Sequence, residues 1–282
     1  MSGRFDFWTV SACSDPGRVR ENNEDSYGVL LDDGCFFVAD GMGGGEAGEL
    51  ASDYVRAAVS DGISGTALDS PGLRKYNVQQ AIHKANQLVR QYAEEHNYRL
   101  MGSTLALCLL DPWRPGVVHA CHVGDSRIYC LHDGELFRIT RDHTVGEEMA
   151  RGGAKAKEFR GVDSKRKTAM SHVLTRAIGT SGMAAPEWNE FAVSQGDRVL
   201  VCSDGITTML DDKAIEKILK AGGTEECMES LKAAVLEAGA LDNLTIVMAD
   251  VKEPVPPDEE HDEDERQESD YLMMVAESRT DG

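Results

Sequence analysis

The chain is short of positive charge: 29 lysines and arginines stand against 49 aspartates and glutamates, a formal net charge of −20. A general nucleic-acid or anionic-membrane binder needs a basic face, so both classes are excluded. No uninterrupted apolar run is long enough to cross a bilayer. Met1 to Val10 has no basic segment followed by an apolar one, and a cytoplasmic protein is expected. The seven cysteines, at positions 13, 35, 108, 121, 130, 202 and 227, form no CxxC pair. Most lie in apolar strand-like runs, where a thiol packs as a small hydrophobe. No cysteine or histidine cluster has zinc spacing.

What is present supports one globular domain, since 282 residues with 41% hydrophobic content can supply a full core. The charge is uneven. Residues 253–282 carry 12 acidic and 2 basic groups, net −10, which leaves the body with the other −10. From Glu253 three prolines precede the run Asp258 to Glu265, a composition that buries too little to offset its ordering entropy. The division expected is a catalytic body, 1–252, and a disordered acidic tail, 253–282. Within that tail, 271–276 form an apolar island.

Along the body, 7–13 and 26–38 read as strands, the second broken at the turn signal Asp32-Asp33-Gly34. Two helices follow, over 46–61 and 74–97, separated by a Gly-, Ser-, Asp- and Pro-rich loop at 62–72. Strand periods then mark 103–110, 117–123, 126–132 and 135–140, with a short helix at 144–151. The stretch 151–171 has seven basic and two acidic residues and reads as a surface flap. Strands at 186–193 and 197–203, helices at 211–221 and 224–239, and a strand at 243–251 close the pattern. The order fits an α+β sandwich in which helices cover antiparallel sheets.

The chemistry gathers where strands end. Val38 to Gly45 delivers Asp40 at the end of an apolar run and follows it with glycines. Gly41 has no side chain to shield its carbonyl, so that oxygen and Asp40 can face one hard cation. Carboxylates also stand at Glu24-Asp25, Gly124-Asp125-Ser126, Ser203-Asp204-Gly205 and Asp242-Asn243. Bringing several into one cleft costs repulsion unless cations compensate it, and all-oxygen donors suit Mg²⁺ or Mn²⁺.

Taken together, these motifs resemble the metal-dependent type 2C serine/threonine protein phosphatases, in particular the bacterial branch. The resemblance rests on Gly17-x-x-Arg20-x-x-Asn23-Glu24-Asp25-Ser26, Val38 to Gly44, Gly48-Glu49-x-Ala51-Ser52, Met101-Gly102-Ser103-Thr104 and Val123-Gly124-Asp125-Ser126-Arg127. It continues through Thr140-x-Asp142-His143, Leu174 to Gly179, Cys202-Ser203-Asp204-Gly205 and Asp242-Asn243-x-Thr245, across residues 11–250. It implies a four-layer α-β-β-α sandwich with two central antiparallel sheets, and two Mn²⁺ or Mg²⁺ ions in a cleft between them. By position, Asp40 would bridge both ions, Glu24 and the Gly41 carbonyl would serve one, and Asp204 and Asp242 the other. Arg20 would grip the substrate phosphate, a task that suits a planar fork of donors. Metal-activated water would then attack phosphorus directly, with no phosphoenzyme, so Cys13, Cys35 and Cys202 are not nucleophiles.

The implied role is a monomeric phosphatase that removes phosphate from the serines and threonines of proteins phosphorylated by a cognate kinase. A catalytically weak phosphoprotein-binding module and a phosphatase dedicated to a sigma-factor regulator are the alternatives. The chain departs from the pattern in two ways. Where relatives carry a histidine just after the metal-binding Asp-Gly, positions 42 and 45 are Met and Gly, leaving water or, by motif proximity, His143 as the general acid. Asp125 matches a ligand of a third, weaker metal, but the position four residues after Asp204 is Thr208.

Overall fold

The computed structural model describes residues 5–151, 170, 172–180 and 184–252. Of the basic flap only residues 151 and 170 fall within these, and the acidic tail with its apolar island lies outside them. The chain runs β1 (Trp8–Asp15), β2 (Asp25–Leu30), β3 (Cys35–Met42), α1 (Glu46–Ile63), α2 (Pro71–His96), β4 (Gly102–Ser103), β5 (Leu105–Leu110), β6 (Val117–Val123), β7 (Arg127–His132), β8 (Glu135–Arg138) and α3 (Val145–Ala150). It continues through β9 (Glu187–Ala192), β10 (Arg198–Cys202), α4 (Asp204–Thr207), α5 (Asp212–Leu219), α6 (Thr224–Glu237) and β11 (Leu244–Val251).

One sheet has the order β1-β11-β10-β7-β8 and the other β2-β3-β5-β6-β9, with β4 pairing with β3. Every pairing is antiparallel. Alternation along the strands then builds three cores. Phe36, Val38, Ala106, Cys108 and Val118 of one sheet meet Ile128, Val199, Val201 and Val247 of the other. The intervening residues Phe37, Ala39, Leu105 and Leu107 turn outward onto Val55, Val59, Ile82 and Ala85 of α1 and α2. On the far side Leu200, Cys202, Ile246 and Met248 pack on Ile215, Leu219, Leu231 and Val235 of α5 and α6. These contacts make the four layers expected from the sequence.

Central strands covered on both faces read as continuous apolar runs, and all of β11 is buried. Its one acidic residue, Asp250, is held bidentately by Arg198 on β10 at 2.7 and 2.8 Å and by the Thr224 hydroxyl at 2.6 Å. α2 begins three residues before the sequence reading placed it. Pro71 occupies the first helical turn, where a missing N–H is tolerated, and Ser70 Oγ accepts from the Leu73 N–H as the cap. No helix among the described residues is long and apolar enough to cross a membrane.

Candidate metal and phosphate site

Antiparallel pairing of β2 with β3 sets Asp25 directly opposite Asp40. The Asp40 N–H donates to Thr104 Oγ1 at 3.0 Å and its carbonyl accepts from the Thr104 N–H at 2.8 Å, which locks the strand end. The Gly41 N–H donates to the Glu24 carbonyl at 3.0 Å, and the Gly45 N–H to Glu24 Oε1 at 2.6 Å. The first turn of α1 is thus pressed onto the Glu24 loop. A Cβ on Gly48 would stand 1.8 Å from Glu24 Oε2, and one on Gly41 2.0 Å from the Gly48 carbonyl oxygen, so both positions require glycine for close approach.

The other sheet supplies the facing groups. β10 ends at Cys202 and places Asp204 at the start of α4, while the turn before β11 carries Asp242. Ser203 ties the two sheets together. Its hydroxyl donates to Asp25 Oδ2 at 2.8 Å and accepts from the Thr245 N–H at 3.0 Å. Asn243 accepts from the Glu24 N–H at 2.9 Å and donates to the Asn22 carbonyl at 2.8 Å.

Arg20, Glu24, Asp40, Gly41, Asp125, Asp204 and Asp242 all line one cleft of about 500 Å³. The proposed metal ligands and Arg20 are therefore brought together, whereas His143 is not among the residues that line the cleft. Within the cleft Arg20 donates to Asp242 Oδ2 at 2.7 Å. Arg127, two residues after Asp125, is committed to Asp142 at 2.7 and 3.0 Å. The remaining carboxylates crowd one another. Burial, followed by the charges of Asp25, Asp204, Asp125 and Asp242, raises Asp40 well above the usual carboxylate range. Burial likewise pushes Asp25 up to about 7 and Asp125 up to about 8, in each case with the charge of Asp204 adding to it. Asp204 is raised by burial and by Asp242. An all-oxygen donor set, buried, mutually repelling and offset by one arginine, is what divalent hard cations fit.

Two residues of this site carry no role in the sequence reading. Asp25 stands beside Glu24 in the same motif, but only the strand register shows that it faces Asp40. His172 has no motif of its own; it is the one histidine among the described residues that lines the cleft. His143, by contrast, is buried, stacked on His122 with ring centroids 4.4 Å apart. Its Nδ1 accepts from the Gly124 N–H at 3.1 Å, and its own N–H donates to the Gly124 carbonyl at 2.9 Å. It braces the turn that presents Asp125, so its role is structural rather than that of an acid in the cleft.

His122, His143 and Glu187 form a separate trio, with potential ligand atoms within 4.8 Å of one another. Arg176 Nη1 stands 3.4 Å from His143 Nε2, and the Gly124 N–H already occupies Nδ1, so the trio is not poised for a cation. The cysteines are inert here: six of the seven are buried and Cys13 is half-buried. Burial pushes the thiol of Cys202, beside the site, up to about 12.

With this geometry in view, comparison with known proteins is informative. The model of the protein phosphatase 2C family matches residues 18–237. The chain is 36% identical over 245 residues to the serine/threonine protein phosphatase PstP of Mycobacterium tuberculosis, covering 86% of this chain and 44% of that protein. It is 31% identical to the serine/threonine phosphatase stp of Listeria monocytogenes, covering 84% of this chain and 93% of that one. Among solved structures, the PstP catalytic domain in complex with two manganese ions superposes with a TM-score of 0.70 at 31% identity, covering 87% of this chain and 99% of that one. PppA of Pseudomonas aeruginosa gives 0.74 at 28% identity, covering 86% and 97%. The chain spans less than half the length of the mycobacterial relative that it matches.

Proposed function

Because the chain belongs to the protein phosphatase 2C family, we propose that it hydrolyses phosphoserine and phosphothreonine in proteins, in a cytoplasmic setting and opposite a serine/threonine kinase. One observation carries this reading: six carboxylate or carbonyl oxygen donors and one arginine converge on a single cleft from both sheets. Glu24, Asp40 and the Gly41 carbonyl would hold one Mn²⁺ or Mg²⁺, and Asp40, Asp204 and Asp242 a second. Asp125 would serve a third, weaker ion. When bound, such ions neutralise phosphoryl charge and make a water nucleophilic near neutral pH.

The chain's own groups do the rest. Arg20 is held at the rim by Asp242 with its side chain 44% exposed, a posture that leaves donors free for two phosphate oxygens. Asp25, fixed by Ser203, faces Asp40 across the strand pair behind the cleft-lining carboxylates. His172 is the side chain in the cleft that can give a ring N–H proton to the departing serine or threonine oxygen.

The test is Mn²⁺-dependent phosphate release from a phosphothreonine peptide, paired with calorimetric titration of Mn²⁺ into the same protein. Release that stops with chelator, and both release and Mn²⁺ binding lost in Asp40→Asn, are expected. Tight Mn²⁺ binding with no release by the folded wild-type protein would make it a phosphoprotein-binding module instead.

A further inference from the structure

The cleft does not end at the carboxylates. Leu100 and Thr180 line it and also line a second hollow of about 200 Å³, bounded by Arg90, Glu94, Tyr98 and Arg99. The two hollows form one groove that runs from the phosphate site over a Leu100–Thr180 saddle to the end of α2. Its floor is fixed. Met101 is buried, and Gly179 passes so close to α2 that a Cβ there would stand 2.2 Å from Val89 Cγ1. The Gly179 N–H is pinned by Asn86 Oδ1 at 2.7 Å.

The groove changes sign along its length. At the metal end the lining is mostly carboxylate; at the far end two guanidinium groups, Arg90 and Arg99, outnumber one carboxylate, Glu94. Arg99 is exposed and makes no hydrogen bond or ion pair among the described residues. Arg90 has one ion pair there, to Glu94 one helical turn on, at 3.9 Å. In a chain of net charge −20, an uncommitted arginine beside the groove is a selective feature.

Resting on the phosphatase reading above, we propose that this hollow is a substrate subsite. It takes an acidic side chain flanking the phosphorylated residue, with Arg99 and Arg90 as its charge partners and Leu100 and Tyr98 as its apolar walls. At the arginine end a carboxylate meets the unspent fork of donors of Arg99. The subsite acts on substrate choice, so it changes KM rather than the chemical step.

The experiment walks a single glutamate along either side of the phosphothreonine in an otherwise neutral peptide. One register should lower KM relative to the neutral parent, and Arg99→Glu should raise KM for that peptide about 3- to 10-fold while leaving kcat and the neutral parent's KM in place. Added salt should erase the preference. Fluorescence anisotropy of the same labelled peptides reads the subsite without turnover, and p-nitrophenyl phosphate hydrolysis by the unaltered protein reports on the phosphatase reading separately. Equal KM and equal anisotropy for every register, or a preference that survives both Arg99→Glu and Arg90→Glu, would overturn the proposal.

Discussion

At the scale of single residues, the site depends on what is missing as much as on what is there. Gly48 has no Cβ, and the space a Cβ would fill belongs to the Glu24 carboxylate. Gly48→Ala should displace Glu24, lower Mn²⁺ affinity about 10- to 100-fold by titration calorimetry, and cost about 1–3 kcal/mol of stability through overpacking. His172 would answer the opposite problem in the proposed reaction, since Met42 and Gly45 stand where relatives carry a histidine. An alkoxide leaving group needs a proton and a nitrophenolate does not. His172→Gln should therefore lower kcat on a phosphothreonine peptide about 100-fold and on p-nitrophenyl phosphate far less. An equal fall on both substrates would show that His172 only positions the phosphate.

At the scale of elements, the two sheets are held in register by polar ties rather than by the apolar core alone. Ser203, leaving β10, bonds both Asp25 on β2 and the Thr245 N–H on β11, so one hydroxyl links a carboxylate of one sheet to the backbone of the other. Arg198 and Asp250 play a similar part at the far end, joining β10 and β11 to α5 through the Leu219 carbonyl at 2.5 Å and to α6 through Thr224. Removing Arg198 strips the buried Asp250 of its bidentate partner and leaves it the Thr224 hydroxyl and the half-exposed Lys252 at 3.0 Å. Arg198→Met should cost about 3–5 kcal/mol by denaturant unfolding, and Arg198→Met combined with Asp250→Leu should recover most of it. Little recovery in the double variant would mean that the tie to Leu219, not the ion pair, carries the stability.

At the scale of the whole molecule, the fold spends stability on function. It gathers Asp25, Asp40, Asp125 and Asp204 where burial and mutual repulsion push all of them toward protonation. Cations that relieve this bind only the folded chain. At a hundredfold excess over its Kd, Mn²⁺ should add about 3 kcal/mol and raise the melting temperature by roughly 5–10 °C. EDTA should reverse the shift, and Asp40→Asn should abolish it. A melting temperature indifferent to Mn²⁺ would show that the carboxylates are not a metal site.

The sequence by itself determined the strand and helix order, because apolar periods of two and of three to four residues report which faces are covered. It also marked carboxylates beside turn signals at strand ends, Asp40 before Gly41, Asp204 before Gly205 and Asp242 before Asn243, that the fold gathers in one cleft. Local chemistry carries that information. It could not assign Asp25 a place opposite Asp40, distinguish His143 as a brace from His172 as a cleft residue, or join the hollow at Arg99 to the cleft at Asp40. Those are distances between segments far apart in the chain, and they exist only once strand register and sheet packing have closed the long loops between them. The start of α2 belongs to the same class, since Ser70 and Pro71 read as part of the 62–72 loop and only the folded helix shows them as its cap and first turn.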